Sequence, residues 1–268
     1  MELERLKKEW TAPFRADVHR EMWDRAAEEY AKKPLPDPEK DPFLLRMQEM
    51  GLLQPDRTIL DLGCGGGGYA LALSPFVKQV TGCDLSPKMT EAARRRQAEE
   101  KVSNAEFFCL DWHEGDSVPA GWERGFDTVF AHMTPAVSDY LTLDKMTRCA
   151  REACLLQKNT RRTDEFLTEV LAQIGIDEPF RDHDGVSEVL TYLWESGYEP
   201  NLTYEKTVWQ ARRTPEAAVG WYLDRAKLHR ALTPEEEEKI RVYVQAHVQD
   251  GIVTDRTHTT IVTIDWRI

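Results

Sequence analysis

The chain contains no apolar run long enough to span a bilayer, and its first residues, Met1 to Lys8, are charged without an apolar secretion core. The expected compartment is therefore the cytoplasm, with no membrane partner. Paired cysteines are missing too. Cys64, Cys83, Cys109, Cys149 and Cys154 show no C-x-x-C spacing, and several lie in apolar strand-like runs. They read as small buried residues in a reducing compartment, not as disulfide partners, and no metal site is expected. Positive charge is also short: 35 Lys and Arg against 47 Asp and Glu leave a net charge of −12. A general nucleic-acid binder usually carries a basic face, so no nucleic-acid partner is expected. The clusters Arg94-Arg95-Arg96, Arg161-Arg162 and Arg212-Arg213 are not interleaved with aromatics and read as solvated faces. There is no internal repeat or low-complexity tract. At 268 residues the chain can bury a substantial core as one domain with embellishments.

What is present centres on Thr58-Ile59-Leu60-Asp61-Leu62-Gly63-Cys64-Gly65-Gly66-Gly67-Gly68-Tyr69-Ala70. A short apolar run breaks at glycines and resumes as a helical pattern, which predicts a buried strand, a tight turn and a helix N-terminus. Glycine allows unusual φ values and lets a ligand approach the backbone. The following helix aims free N–H groups and a partial positive charge at the turn. Two readings of the spacing compete. Gly63, Gly65 and Gly68 satisfy G-x-G-x-x-G, the dinucleotide fingerprint. Asp61, Gly63, Gly65 and Gly67 satisfy D-x-G-x-G-x-G, which resembles the S-adenosylmethionine (SAM) loop of class I methyltransferases. Asp61 separates them: its carboxylate repels a pyrophosphate but suits an ammonium and a sulfonium.

Upstream, residues 1 to about 33 read as helical, and Pro34-Leu35-Pro36-Asp37-Pro38 as a linker. Asp41 and Pro42 open a helix to Met50 as N-cap and first helical residue. Downstream, Val77 to Asp84 is the second strand, ending in an acid about twenty residues past the loop, where a carboxylate can accept ribose hydroxyls. Ser86 and Pro87 start the next helix, to roughly Lys101. Ala105–Leu110, Gly125–Ala131 and Cys149–Lys158 are the third to fifth strands. Helices are predicted over Thr163–Gly175 and Gly185–Gly197, and a strand within Tyr198–Arg212. Thr214-Pro215-Glu216 and Thr233-Pro234-Glu235-Glu236 open two more helices, to about Arg230 and Asp250. His258 to Trp266 alternates as a strand with one face more exposed. Strands alternating with helices imply a parallel sheet covered on both faces.

Thr81-Gly82-Cys83-Asp84-Leu85-Ser86-Pro87-Lys88-Met89 closely resembles the methyltransferase pattern "V-x-G-x-D-x-S-x-x-M". Phe126-Asp127 resembles the family's "F-D-x-V" opening, and Trp23 to Tyr30 its W-x-x-x-A-x-x-Y entry helix. Together with the loop and Asp111-Trp112, these motifs give the chain its resemblance to a class I SAM-dependent methyltransferase of the small-molecule type, specific over 58 to 158. The resemblance implies an α/β, Rossmann-like seven-stranded mostly parallel sheet flanked by helices, with an antiparallel C-terminal strand and an inserted helical lid. It implies a single domain, 1–268: an N-terminal helical cap at 1–50, a SAM-binding core at 58–158 and a lid at 213–250. It further implies that Asp61, Gly63, Cys64, Gly65 and Gly67 line the methionine moiety, that Asp84 holds the ribose, and that Leu85 and Met89 lie against the adenine. Asp111 would accept the adenine amino proton, Trp112 lie against the ring, Tyr30 lie over the cofactor and Ala131 stand near the transferred methyl. Gly66 departs from a frequent Thr or Ser, so a side-chain contact there gives way to backbone. Trp23 with Tyr30, and Trp112, equally suit plain packing.

The activity implied is methyl transfer from SAM, with S-adenosylhomocysteine as product, to a small-molecule acceptor. A protein methylase or a non-catalytic SAM-binding protein are the alternatives. A base is needed only if the acceptor must lose a proton. His132 is the first candidate, because it stands at a strand exit and titrates near neutrality; structural packing is its other reading. His183, between Asp182 and Asp184, is the second. Trp194, Tyr198, Tyr204, Trp209, Trp221 and Tyr222 are acceptor-pocket or packing aromatics. Acceptor and oligomeric state do not follow from the sequence.

Overall fold

The structure, a computed structural model, describes residues 2–11, 14–177 and 185–268. Seven strands form one sheet in the order β3-β2-β1-β4-β5-β7-β6: β1 Thr58–Leu62, β2 Gln79–Asp84, β3 Ala105–Cys109, β4 Phe126–His132, β5 Ala150–Asp164, β6 Asn201–Arg213 and β7 Val253–Arg267. The first five pair with one another in parallel. The sheet is mixed, with an antiparallel C-terminal strand, as the resemblance implied.

The chain divides into two compact units. The larger holds residues 1–158, 185–203 and 262–268. Here strand residues alternate between two apolar clusters. Leu60, Leu62, Val129, Ala131, Cys154 and Leu156 pack with helices α6 (Tyr140–Cys149) and α8 (Val186–Glu195). Ile59, Val80, Phe130, Ala153 and Leu155 pack with α3 (Pro42–Glu49), α4 (Gly68–Leu73) and α5 (Pro87–Glu99). Near-continuous apolar strands are what two-sided burial requires. The smaller unit, residues 159–184 and 204–261, packs α7 (Glu165–Ala172), α9 (Pro215–Lys227) and α10 (Pro234–Ala246) around Leu171, Val219, Tyr222, Leu223 and Ile240.

Several expectations need correction. The N-terminal stretch is two helices, α1 (Glu2–Glu9) and α2 (Ala16–Ala31), not one run. Helix α6 was not expected at all. Its start is a capping box, in which Asp139 accepts the Thr142 N–H at 2.9 Å and Thr142 Oγ1 accepts the Asp139 N–H. Strand β5 runs on past Lys158 to Asp164. Strand β7 shows no exposed face near its end, because its polar residues find buried partners. Thr263 accepts from Gln157, and Asp265, with no exposed surface, is gripped by Arg46 of α3 at 2.8 and 3.0 Å.

Candidate functional site

The sheet order lays the predicted site residues out in one row. Asp111 follows β3, Asp84 ends β2, the glycine turn follows β1 and His132 ends β4. All stand at the carboxyl ends of adjacent parallel strands, where open α/β sheets bind their ligands.

Gly63, Gly65 and Gly67 have φ of +71°, +52° and +76°, left-handed values that favour glycine. Gly63 has a further reason to lack a side chain: a Cβ there would lie 2.0 Å from Thr134 Oγ1, on the segment after β4. A Cβ at Gly65 would stand in ordinary van der Waals contact with the Tyr30 ring at 3.9 Å and the Met89 sulfur at 4.0 Å. The structure thus brings Tyr30 and Met89 together over the turn. Helix α2 is tied down by Asp24, which accepts from the Ser86 hydroxyl, and by Glu28, which pairs with Arg95. Arg96 donates to the Gly66 and Lys33 carbonyls at 3.2 and 2.9 Å, while Arg94 donates to the Phe107 carbonyl. Arg96 is therefore buried bracing, while Arg94 and Arg95 stay exposed, as a solvated face expects.

Two carboxylates give the site its charge. Asp61 is 2% exposed; burial first, and nearby Asp84 second, push its carboxyl well above the usual range, against the pull of an N–H bond from Ala70. Burial likewise raises Asp84, although it accepts the N–H groups of Ser86 at 2.8 Å and Gly65 at 2.9 Å. Such a pair repels phosphate and welcomes a cation. The dinucleotide reading loses its physical basis here.

Asp111 accepts the His113 N–H at 2.9 Å, and its turn is held from behind by Lys145. That buried ammonium donates to the carbonyls of Trp112, Glu114 and Gly115, and lies over the Trp112 ring. Trp112 itself is 3% exposed, packed among the core residues with its Nε1 donating to the Thr142 carbonyl. The expectation that it offers an open face to a purine is corrected: the indole is core. Leu85, beside Asp84, is partly exposed, and Ala131 and Cys64 are buried.

His132 is corrected in a different way. Burial lowers its pKa to about 4, so the ring is neutral at pH 7 and does not titrate near neutrality. Its ring lies 3.8 Å from that of Tyr69, whose hydroxyl donates to Asp41 at 2.9 Å, and 5.0 Å from Phe43. Tyr69, Thr134 and Gln157 are site neighbours that sequence reasoning missed; Tyr69, directly after the glycines, carried the only usable signal. His183 with its flanking aspartates lies outside the described residues, among which no three His, Cys, Asp or Glu side chains gather as a metal site. Of the predicted aromatics, Tyr222 is core of the smaller unit, and Trp209 and Trp221 lie under Arg162 and Arg213. Trp194 and Tyr204 are exposed.

Residues 59–155 match a family model described as a methyltransferase domain. A tRNA (uracil-5-)-methyltransferase homolog A of Mus musculus is 41% identical over 63 residues, 24% of this chain and 10% of that protein. A release factor glutamine methyltransferase of Vibrio cholerae is 34% identical over 96 residues, 35% and 33% of the two chains. The chain thus spans a third or less of these curated relatives' length. Among solved structures, a phospholethanolamine N-methyltransferase 2 of Haemonchus contortus, crystallised with S-adenosylhomocysteine, superposes with TM-score 0.54 at 17% identity, over 92% of this chain and 59% of that one. The cyclase SpnF superposes with TM-score 0.53 at 15% identity, over 94% and 97%. These likenesses concern the fold, which serves more than one chemistry. With the family match, the strand order and the acid-lined glycine turn in place, this chain carries a methyltransferase domain over residues 59–155, in a Rossmann-like methyltransferase fold.

Proposed function

We propose that the protein transfers a methyl group from SAM to a small-molecule acceptor. The observation that carries this reading is the pair of buried acids, Asp61 and Asp84, beside a left-handed glycine turn faced by Tyr30 and Met89. These residues fit the cofactor: the turn is bare of side chains at Gly63, Gly65 and Gly67, all at positive φ, and the acids suit its positive charges. Asp84 would hold the ribose, Asp61 and the turn the methionine end, Asp111 the adenine amino group, and Met89 would lie against the base. SAM supplies, when bound, an electrophilic methyl on a good leaving group, so that transfer leaves S-adenosylhomocysteine. The protein's own part is to orient an acceptor in line and exclude water, which in well-aligned systems is worth about 7–11 kcal/mol.

Two features favour a small acceptor: the net charge of −12 and the burial of Arg96 against the Gly66 and Lys33 carbonyls. RNA is the second reading, because the relatives include a 23S rRNA (uracil(1939)-C(5))-methyltransferase RlmD of Klebsiella pneumoniae, 35% identical over 77 residues, 29% of this chain and 18% of that protein.

Calorimetry with SAM and S-adenosylhomocysteine tests the core of the reading. Both are expected to bind; binding of neither would overturn it. Salt-dependent binding of a structured RNA at physiological ionic strength would favour the second reading.

A further inference from the structure

We propose that Gln157 is a positioning residue that sets the tautomer of His132, so that the imidazole offers a lone pair to the methyl acceptor. The inference rests on the methyltransferase reading and names what its acceptor must carry.

The placement comes from the sheet. His132 and Gln157 are register partners on parallel β4 and β5, and the Met133 N–H donates to the Gln157 backbone carbonyl at 2.9 Å. Register partners present their side chains to the same face. On β7, the next strand, Thr263 Oγ1 accepts from Gln157 Nε2 at 2.9 Å. Gln157 is 6% exposed, so its amide has little access to water and must find protein partners. With its nitrogen on Thr263, its oxygen is the acceptor left on the face it shares with the imidazole. The result is a polar row across three strands, His132, Gln157 and Thr263.

A neutral imidazole has one N–H and one lone-pair nitrogen. If Gln157 takes the N–H, the other nitrogen can only accept. The ring cannot easily swing away from this arrangement. Tyr69 covers it at 3.8 Å, Phe43 meets it at 69°, and Tyr69 is itself anchored to Asp41, the residue that caps α3 through the N–H groups of Phe43 and Leu44. The charged or titratable groups beside the ring are thus Asp41 and Tyr69. His132 remains partly exposed at the end of β4. Its partner is then an acceptor that bears hydrogen on the nucleophilic atom: an amine, a hydroxyl or a thiol. A carboxylate, a thioether or a tertiary amine gets no such bond.

The protein is labelled with ¹⁵N at histidine and saturated with S-adenosylhomocysteine, and His132 is assigned by its loss in His132→Asn. Long-range ¹H–¹⁵N correlation at pH 7 is expected to show one neutral tautomer. In Gln157→Leu the two ring nitrogens should move toward averaged shifts. In Gln157→Glu a single tautomer should return, with a titration midpoint at least one unit above the wild-type value. If Gln157→Leu does not fold, Thr263→Val reads the same row and should loosen the tautomer in part. A charged ring at pH 7, or a tautomer unchanged in the folded variants, overturns the inference. Loss of S-adenosylhomocysteine binding by the wild type would instead overturn the reading beneath it, and calorimetry records that separately.

Discussion

The Asp84 carboxylate accepts the N–H of Gly65 at 2.9 Å, so the end of β2 fixes the turn that follows β1. The same oxygen pair accepts Ser86 N–H, which starts α5. One acid therefore sets the turn, caps the approach to a helix and stands where a ribose would be held.

Asp84→Ala is expected to weaken S-adenosylhomocysteine by about 1.5–3 kcal/mol, the scale of hydrogen bonds to a charged group. Calorimetry measures it. An affinity within twofold of wild type would remove Asp84 from the ribose position.

Asp61 predicts a linked proton. Its carboxyl is raised by burial and by Asp84, so the free protein keeps it protonated above the unfolded value of 3.8. In the free protein this group's contribution to stability is full below 3.8 and is lost as pH climbs through the raised folded value. A ligand ammonium favours the ionised form and lowers that value. Cofactor binding should therefore release a proton, and affinity should rise with pH across this window and then level. Calorimetry in buffers of different ionisation enthalpy counts the proton. Asp61→Asn should cut the count; the same release in that variant would exclude Asp61 as its source.

Gly63→Ala combines two costs. The residue has φ +71°, and a Cβ there would meet Thr134 Oγ1 at 2.0 Å. Left-handed strain alone costs an alanine roughly 1–2 kcal/mol. Denaturant unfolding should show a loss beyond that strain, and Gly63→Ala with Thr134→Ala should recover part of it. If the double variant recovers nothing, Thr134 is not what crowds the turn.

Arg46→Ala takes two charge-assisted bonds from the fully buried Asp265 carboxylate and leaves it the Asn201 amide, which donates at 3.2 Å. Removing one partner of a buried pair costs about 3–5 kcal/mol. Urea unfolding should show that loss, and Arg46→Ala with Asp265→Ala should cost less than the two single changes added together. Strict additivity would show that the pair contributes no coupling.

Local chemistry decided what the sequence disclosed. The strand–turn–helix at 58–70, the caps Asp41, Ser86, Thr214 and Thr233, and the acids Asp84 and Asp111 each announce themselves within a few residues, and each stands where expected. Features that depend on distant partners stayed hidden. Thr263 and Asp265 look like a solvent face until Gln157 and Arg46 are brought to them by the sheet. Histidine's ordinary pKa applies to His132 only without Phe43 and Tyr69 around it. Trp112 offers a ring face on paper, but α6, whose capping box pairs two non-adjacent residues in an otherwise unmarked stretch, supplies the carbonyl that holds its indole.

Lys145 has a consequence of its own. An ammonium bonded to three carbonyls of one short loop leaves that loop little freedom to lose. The ordering cost at Asp111 is met while the chain folds, so under the proposed reading a nucleoside would meet an edge already ordered. Such preorganisation favours tight, quickly formed complexes over those that must wait for a segment to settle.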